Sequence, residues 1–187
     1  EETLIPNSLV ASLMMQTTLN DGSNDNIIDN ANCFNIQLPV TVIVNGVEIT
    51  VTSEDDYDAI EYIFDEFDDD TDTLDITFPI TIILSDYTEI DINNYTELYS
   101  YSNICNGENE SDDDIECLDF VYPISASIYN ADNELISTII FNSDYQLHEF
   151  LEDFGESDIV SINFPITVVL LDATQIVINN FYIFSDK

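Results

Sequence analysis

The sequence predicts an α+β protein built as two tandem ββαββα modules, each a four-stranded antiparallel sheet with helices on one face. Three observations carry this. Four segments repeat one template, FNIQLPVTVIV, LDITFPITIIL, LDFVYPISASI and VSINFPITVVL, with prolines at 39, 79, 123 and 165. Within them large apolar residues alternate with polar ones. Each is followed by a turn, a second alternating run and a helix-start signal.

The alternation is clearest around Pro79. Leu74, Ile76, Phe78, Ile80, Ile82 and Leu84 share one parity, and Asp75, Thr77, Pro79 and Thr81 take the other. This is the pattern of a strand with one buried face. Proline falls on the polar parity, where it spares the core row and removes one ladder N–H. An edge strand or a bulge is its expected setting.

The turns follow as Asn45-Gly46, a strong hairpin signal, then SDYT, NADN and LDAT. The second strands are VEITV, EIDI, STIIF and QIVI. Ser53, Asn94, Ser143 and the Asn pair at 179–180 then precede helical stretches, three of them with acids close behind, as N-caps do. The predicted boundaries are an N-terminal helix and acidic loop over 1–32, module one over 33–105, an acidic linker over 106–116 and module two over 117–187. Residues 8–19 read as an amphipathic helix that docks on the first module.

Charge excludes several functions. There are 39 Asp and Glu, one Lys at position 187 and no Arg, for a formal net charge of −38. Nucleic acid, whose phosphates are bound by Lys and Arg, is excluded as a direct partner. Anionic lipid is disfavoured for the same reason. Arginine-finger, P-loop-lysine and Schiff-base chemistry lack their residues. Basic or envelope proteins and divalent cations remain as partners. Clusters such as 65–75 and 108–116 call for protons or cations. No run of 18 apolar residues occurs, so no transmembrane segment is expected.

The three cysteines are Cys33, Cys105 and Cys117. Cys33 and Cys117 each stand six residues before a repeat proline. Cys105 closes module one, and the equivalent position in module two would be 189, just past the last residue. A Cys33–Cys105 disulfide closing module one is the economical pairing, with Cys117's partner lost to C-terminal truncation; Cys105–Cys117 and three reduced thiols are the alternatives. The opening EETLIPNS, with neither initiator Met nor apolar leader, reads as a trimmed mature chain and so as export.

No catalytic site is expected. His148 is the single histidine; Glu149 and Glu152 are near it in sequence, but no motif supplies a nucleophile, and it reads as a half-exposed helical residue. A carboxylate-pair glycosidase is not specified by any spacing among so many acids, and tryptophan is absent. Calcium or magnesium has better donors. The 20–30 loop offers Asp21, Asn24, Asp25, Asn26 and Asp29, and the 68–75 stretch offers Asp68, Asp70, Asp72 and Asp75. Hard cations take such oxygens. Neither stretch is an EF-hand loop, and a solvated acidic loop is the competing reading of both.

The stretch NDGSNDNIIDNANCFNIQLPVTVIVNGVEITV, the FPIT strands and DYTEIDINN resemble uncharacterised exported proteins and lipoproteins of flavobacteria, over residue 20 to the end. The resemblance implies a secreted or lipid-anchored envelope protein, with any anchoring cysteine upstream of residue 1. It brings no catalytic residue. The expected function is an exported, non-enzymatic envelope module with a cation-screened acidic surface. A polyanion mimic that inhibits a basic protein, and acidity that reflects adaptation to salt alone, are the two alternatives.

Overall fold

The computed structural model describes residues 3–66, 71–103, 115, 117–155 and 159–181. Among them are thirteen strands, all in antiparallel sheets, and five α-helices. The chain forms two compact units, one of residues 20–112 and the other of residues 1–19 with 113–187.

In chain order, β1 (Thr3–Leu4) and α1 (Leu9–Thr17) come first. Ser8 caps α1, its hydroxyl accepting the Ala11 N–H at 3.2 Å. The sequence placed this helix on the first module, and the structure corrects that. β1 pairs with a strand of the C-terminal unit, and Leu4 and Met14 lie in that unit's core at 1% and 2% exposure. The backbone N–H of Ile115, the one described residue of the expected acidic linker, donates to the Gln16 carbonyl at 3.1 Å.

The 20–112 unit opens with the short helix α2 (Asn26–Asp29). It then runs β2 (Phe34–Ile36), β3 (Val40–Val44), β4 (Val47–Val51), α3 (Tyr57–Phe64), β5 (Leu74–Ile76), β6 (Ile80–Leu84), β7 (Glu89–Ile92) and α4 (Tyr95–Ser102). Asn45 and Gly46, at φ 48° and 81°, make the β3–β4 turn with two left-handed residues, as Asn-Gly allows. Ser53 and Asp56 form a reciprocal capping box ahead of α3. Asn94 caps α4 by accepting the Glu97 N–H at 3.1 Å.

The expected eleven-residue strands and single four-stranded sheet do not occur here. Each proline instead divides its segment, and the two halves enter different sheets. β2 before Pro39 pairs with β6 after Pro79, and β5 before Pro79 pairs with β3 after Pro39. The unit thus has two three-stranded sheets, β2-β6-β7 and β4-β3-β5. Proline is neither an edge residue nor a bulge residue within one strand. It sits at the passage between sheets, where its missing N–H leaves no ladder position unfilled, and the bonds Leu38–Pro39 and Phe78–Pro79 are cis.

The apolar parity survives the passage, which explains why the sequence looks continuous. Ile76 and Ile80 flank Pro79 in different sheets, and both are buried in one core. Phe34, Ile36, Ile82 and Ile92 join it from the first sheet, Val40, Val42, Val44 and Val51 from the second, and Ile60 and Leu98 from the helices.

The C-terminal unit continues with β8 (Leu118–Val121), β9 (Ile124–Tyr129), β10 (Leu135–Phe141), α5 (Asp144–Asp153), β11 (Ile159–Ile162), β12 (Ile166–Leu170) and β13 (Gln175–Ile178). Its connectivity is the same. β8 pairs with β12 and β11 with β9, and the bonds preceding Pro123 and Pro165 are cis. The sheets are β13-β12-β8 and β1-β11-β9-β10. The second has four strands only because β1 adds an edge. Of the expected last helix, only Phe181 lies within the described residues. No helix among the described residues is long and apolar enough to cross a membrane.

Candidate functional site

The most unusual chemistry lies in the 20–36 segment, where a buried aspartate, Asp25, and a half-buried one, Asp29, whose Oδ2 is out of solvent, stand together in a chain without arginine. Gly22 makes the segment tight. A Cβ there would stand 2.3 Å from the Phe34 nitrogen and 2.6 Å from the Asn32 carbonyl oxygen, so only glycine lets these backbones meet. Asn26 Nδ2 donates to Asn32 Oδ1 at 2.7 Å, and Asn20 Nδ2 to Asn35 Oδ1 at 2.6 Å. These amides fold the loop back onto the start of β2.

Asp25 precedes α2 and is 1% exposed. Its carboxylate does not cap that helix. It turns to β2, accepting the backbone N–H of Ile36 through Oδ2 and the Asn35 amide at 3.5 Å through Oδ1. Burial outweighs these bonds and pushes its pKa up to about 6. Asp29 ends α2 and accepts the Ala31 N–H at 3.0 Å through Oδ1. Burial, and then the charge of Asp25, raise it to about 8. Tyr57 on α3, raised to about 12 by burial first and by Asp25, Glu54 and Asp29 after it, flanks the pair. Two buried side-chain oxygens here, Asp29 Oδ2 and Asn26 Oδ1, have no hydrogen-bond partner among the described residues.

Of the sequence-predicted donors, the structure brings together Asp25 and Asp29, with Asp21 close enough to act on Asp25. Asp21 itself accepts the Ser23 N–H at 2.8 Å, and Asn24 is exposed. Asp68 and Asp70 lie outside the described residues. Asp72 is exposed and accepts from Asn45 Nδ2 at 2.9 Å, fastening the β3–β4 turn, and Asp75 is exposed on β5. No group of three His, Cys, Asp or Glu among the described residues is arranged to hold a metal ion. The expected alternating donors of 68–75 thus have a turn-fastening role at Asp72.

Cys33 packs against the core of the 20–112 unit and is disulfide-bonded. Its expected partner, Cys105, lies outside the described residues. Cys117 is an exposed free thiol, which leaves no place for the Cys105–Cys117 alternative.

His148 is not half-exposed as its sequence position suggests; it is 3% exposed because α1 packs over α5. Its Nδ1 is 3.4 Å from Thr18 Oγ1, and its Nε2 is 3.9 Å from Glu152. Glu149 accepts the Tyr145 hydroxyl at 2.7 Å.

Sequence reasoning missed the groove between the two proline passages of the 20–112 unit. It has a volume of about 570 Å³ and is lined from both repeats and from the end of β7. The signal was present in the doubled Pro-x-Thr of PVT and PIT, but only the pairing of β2 with β6 and β3 with β5 brings the two together. Comparison with protein-family models, curated proteins and solved structures finds no match to this chain.

Proposed function

We propose that this chain is an exported, non-enzymatic cell-envelope module whose acidic surface works in a medium of divalent cations. Duplication of one cis-proline-crossed unit would supply the two modules, and a Cys33–Cys105 disulfide would close the first. A disulfide at Cys33 supports an oxidising compartment. The likeness to flavobacterial exported proteins supports an envelope location.

One observation carries the cation part. Buried Asp25 and half-buried Asp29 act on each other, while Lys187 is the single Lys or Arg of the chain. A buried carboxylate is ordinarily neutralised by a cationic side chain, a proton or a metal. No cationic side chain among the described residues acts on either carboxyl group, which leaves a proton or an external cation to neutralise the pair. Asp29 Oδ2 and Asn26 Oδ1 are the oxygens such an ion would take. That set is smaller than the six to eight calcium prefers, so water would complete the shell.

Calorimetry near neutral pH tests this. The expected result is a saturable rise in Tm with calcium chloride, beyond that of sodium chloride at matched ionic strength, that is lost in Asp29→Asn. An equal response to both salts, or one unchanged in the variant, would refute a cation role for this pair.

A further inference from the structure

The groove at the paired proline passages has a polar lining of an unusual kind for this chain. Gln37 and Thr41 flank Pro39, and Thr77 and Thr81 flank Pro79; Asp91 and Asn93 come from the end of β7 and just beyond it. Two backbone bonds tie the passages together, Gln37 N–H to the Thr81 carbonyl at 2.8 Å and Thr77 N–H to the Thr41 carbonyl at 2.9 Å. The floor and rim are therefore fixed by the fold rather than by loop choice.

We propose that this groove binds a neutral polyhydroxylated ligand of the oligosaccharide class. Its volume of about 570 Å³ falls in the range of small-molecule sites, roughly 300–1,000 Å³. No Lys, Arg or His lines it, which removes phosphate, sulfate and carboxylate ligands. In a protein with 39 acids only one, Asp91, is among the lining residues, so neither a metal ion nor a polycation is specified. Hydroxyl and amide groups remain, and each both donates and accepts. Their complement is a ligand that does the same at several adjacent positions, as a sugar does. Asp91 Oδ1 accepts the Thr81 hydroxyl at 3.0 Å, which orients the carboxylate and leaves Oδ2 as a second acceptor for a ligand hydroxyl. The exposed rings of Pro39 and Pro79 offer C–H surface for a sugar's apolar face.

The other unit supplies an internal contrast. There the position of Thr77 is taken by Asn163, whose side chain donates to Ser125 Oγ at 3.0 Å and accepts from Ser127 Oγ at 2.9 Å. Those polar groups satisfy each other. In the 20–112 unit Gln37 bonds to Glu89 at 3.1 Å at the rim, and Thr77 is exposed.

The test is titration calorimetry, backed by saturation-transfer NMR, on the full chain. The probes are cellotetraose, maltotetraose and chitotetraose, with a sulfated tetrasaccharide and spermidine as charged controls. At least one neutral probe is expected to bind saturably at a Kd of about 10 μM–1 mM, the range of a few surplus hydrogen bonds. Asp91→Ala and Thr77→Val should each weaken it about tenfold with unchanged Tm, while Asn163→Ala leaves it alone. The proposal is overturned if no neutral probe binds. It is equally overturned if binding is indifferent to both groove variants, or if spermidine binds there in preference to every sugar.

Discussion

The backbone N–H of Gln37 donates to the carbonyl of Thr81 at 2.8 Å, two residues before one repeat proline and two after the next. Its mate runs from Thr77 to Thr41, and in the C-terminal unit Asn163 donates to Ser125 at 2.9 Å in the same way. Each bond extends the ladder of one sheet by a residue, β2–β6 and β3–β5 in the first unit and β9–β11 in the second, up to the point where the chain leaves that sheet for the other. They are expected to open only with the whole unit, so the amides of Gln37, Thr77 and Asn163 should exchange as slowly as those of β3 and β9. Residue-resolved hydrogen exchange measures this; exchange at the rate of the β3–β4 turn would contradict it.

The N-terminal segment belongs energetically to the C-terminal unit. Met14→Ala should destabilise that unit by about 2–4 kcal/mol, the usual cost of emptying a buried site, and leave the 20–112 unit unchanged. Exchange rates in β9 against those in β3 distinguish the two. Equal loosening of both would place Met14 wrongly.

Gly22 is held by close approach and not by a left-handed backbone. Since its neighbours are backbone atoms of Asn32 and Phe34, they cannot rotate aside, and Gly22→Ala should cost about 2–3 kcal/mol through forced displacement of β2. Urea unfolding of the variant checks this. The same change should weaken any cation response at Asp29, because the 20–36 segment is one packed piece.

Stability should fall as pH rises, with a definite sign. Asp25 and Asp29 have folded pKa values of about 6 and about 8, against an ordinary value of 3.8. The folded chain therefore holds more protons than the unfolded one between pH 4 and 8. The stabilisation is complete below about pH 4 and is lost as pH rises through 6 and then 8. Asp29→Asn, which keeps an uncharged side chain at every pH, should gain on the order of 1–3 kcal/mol near pH 8 relative to its effect below about pH 4, where the gain is little. The other carboxylates are common to both proteins, so the difference between their pH profiles isolates this residue.

Much of the architecture was legible because alternation and turn chemistry are local. The Asn45-Gly46 turn, the caps at Asn94 and Ser143 and the buried rows of Ile76, Ile80 and Ile82 all follow from neighbouring residues. What was not legible is which partner each half-strand takes. Alternation across Pro79 looks the same whether the chain continues in one sheet or passes to another, because both inner faces share one core. The docking of α1 was hidden for a related reason, since an apolar stripe does not say which core it completes. In the 20–30 loop the acids were visible, but their burial was not. It depends on Gly22 meeting Phe34 and on Asn35 meeting Asp25, contacts that the one-dimensional pattern of acids does not contain.

The central claim is that the Asp25–Asp29 pair does not ionise fully in the folded protein below about pH 8 without an added cation. Carboxyl-carbon NMR through a pH titration, with and without calcium, observes it directly. Without calcium, two carboxyl resonances should titrate well above the ordinary aspartate range, with the later step near pH 8, and calcium should draw both steps downward. Two fully ionised groups by pH 5 in the calcium-free protein would contradict the account.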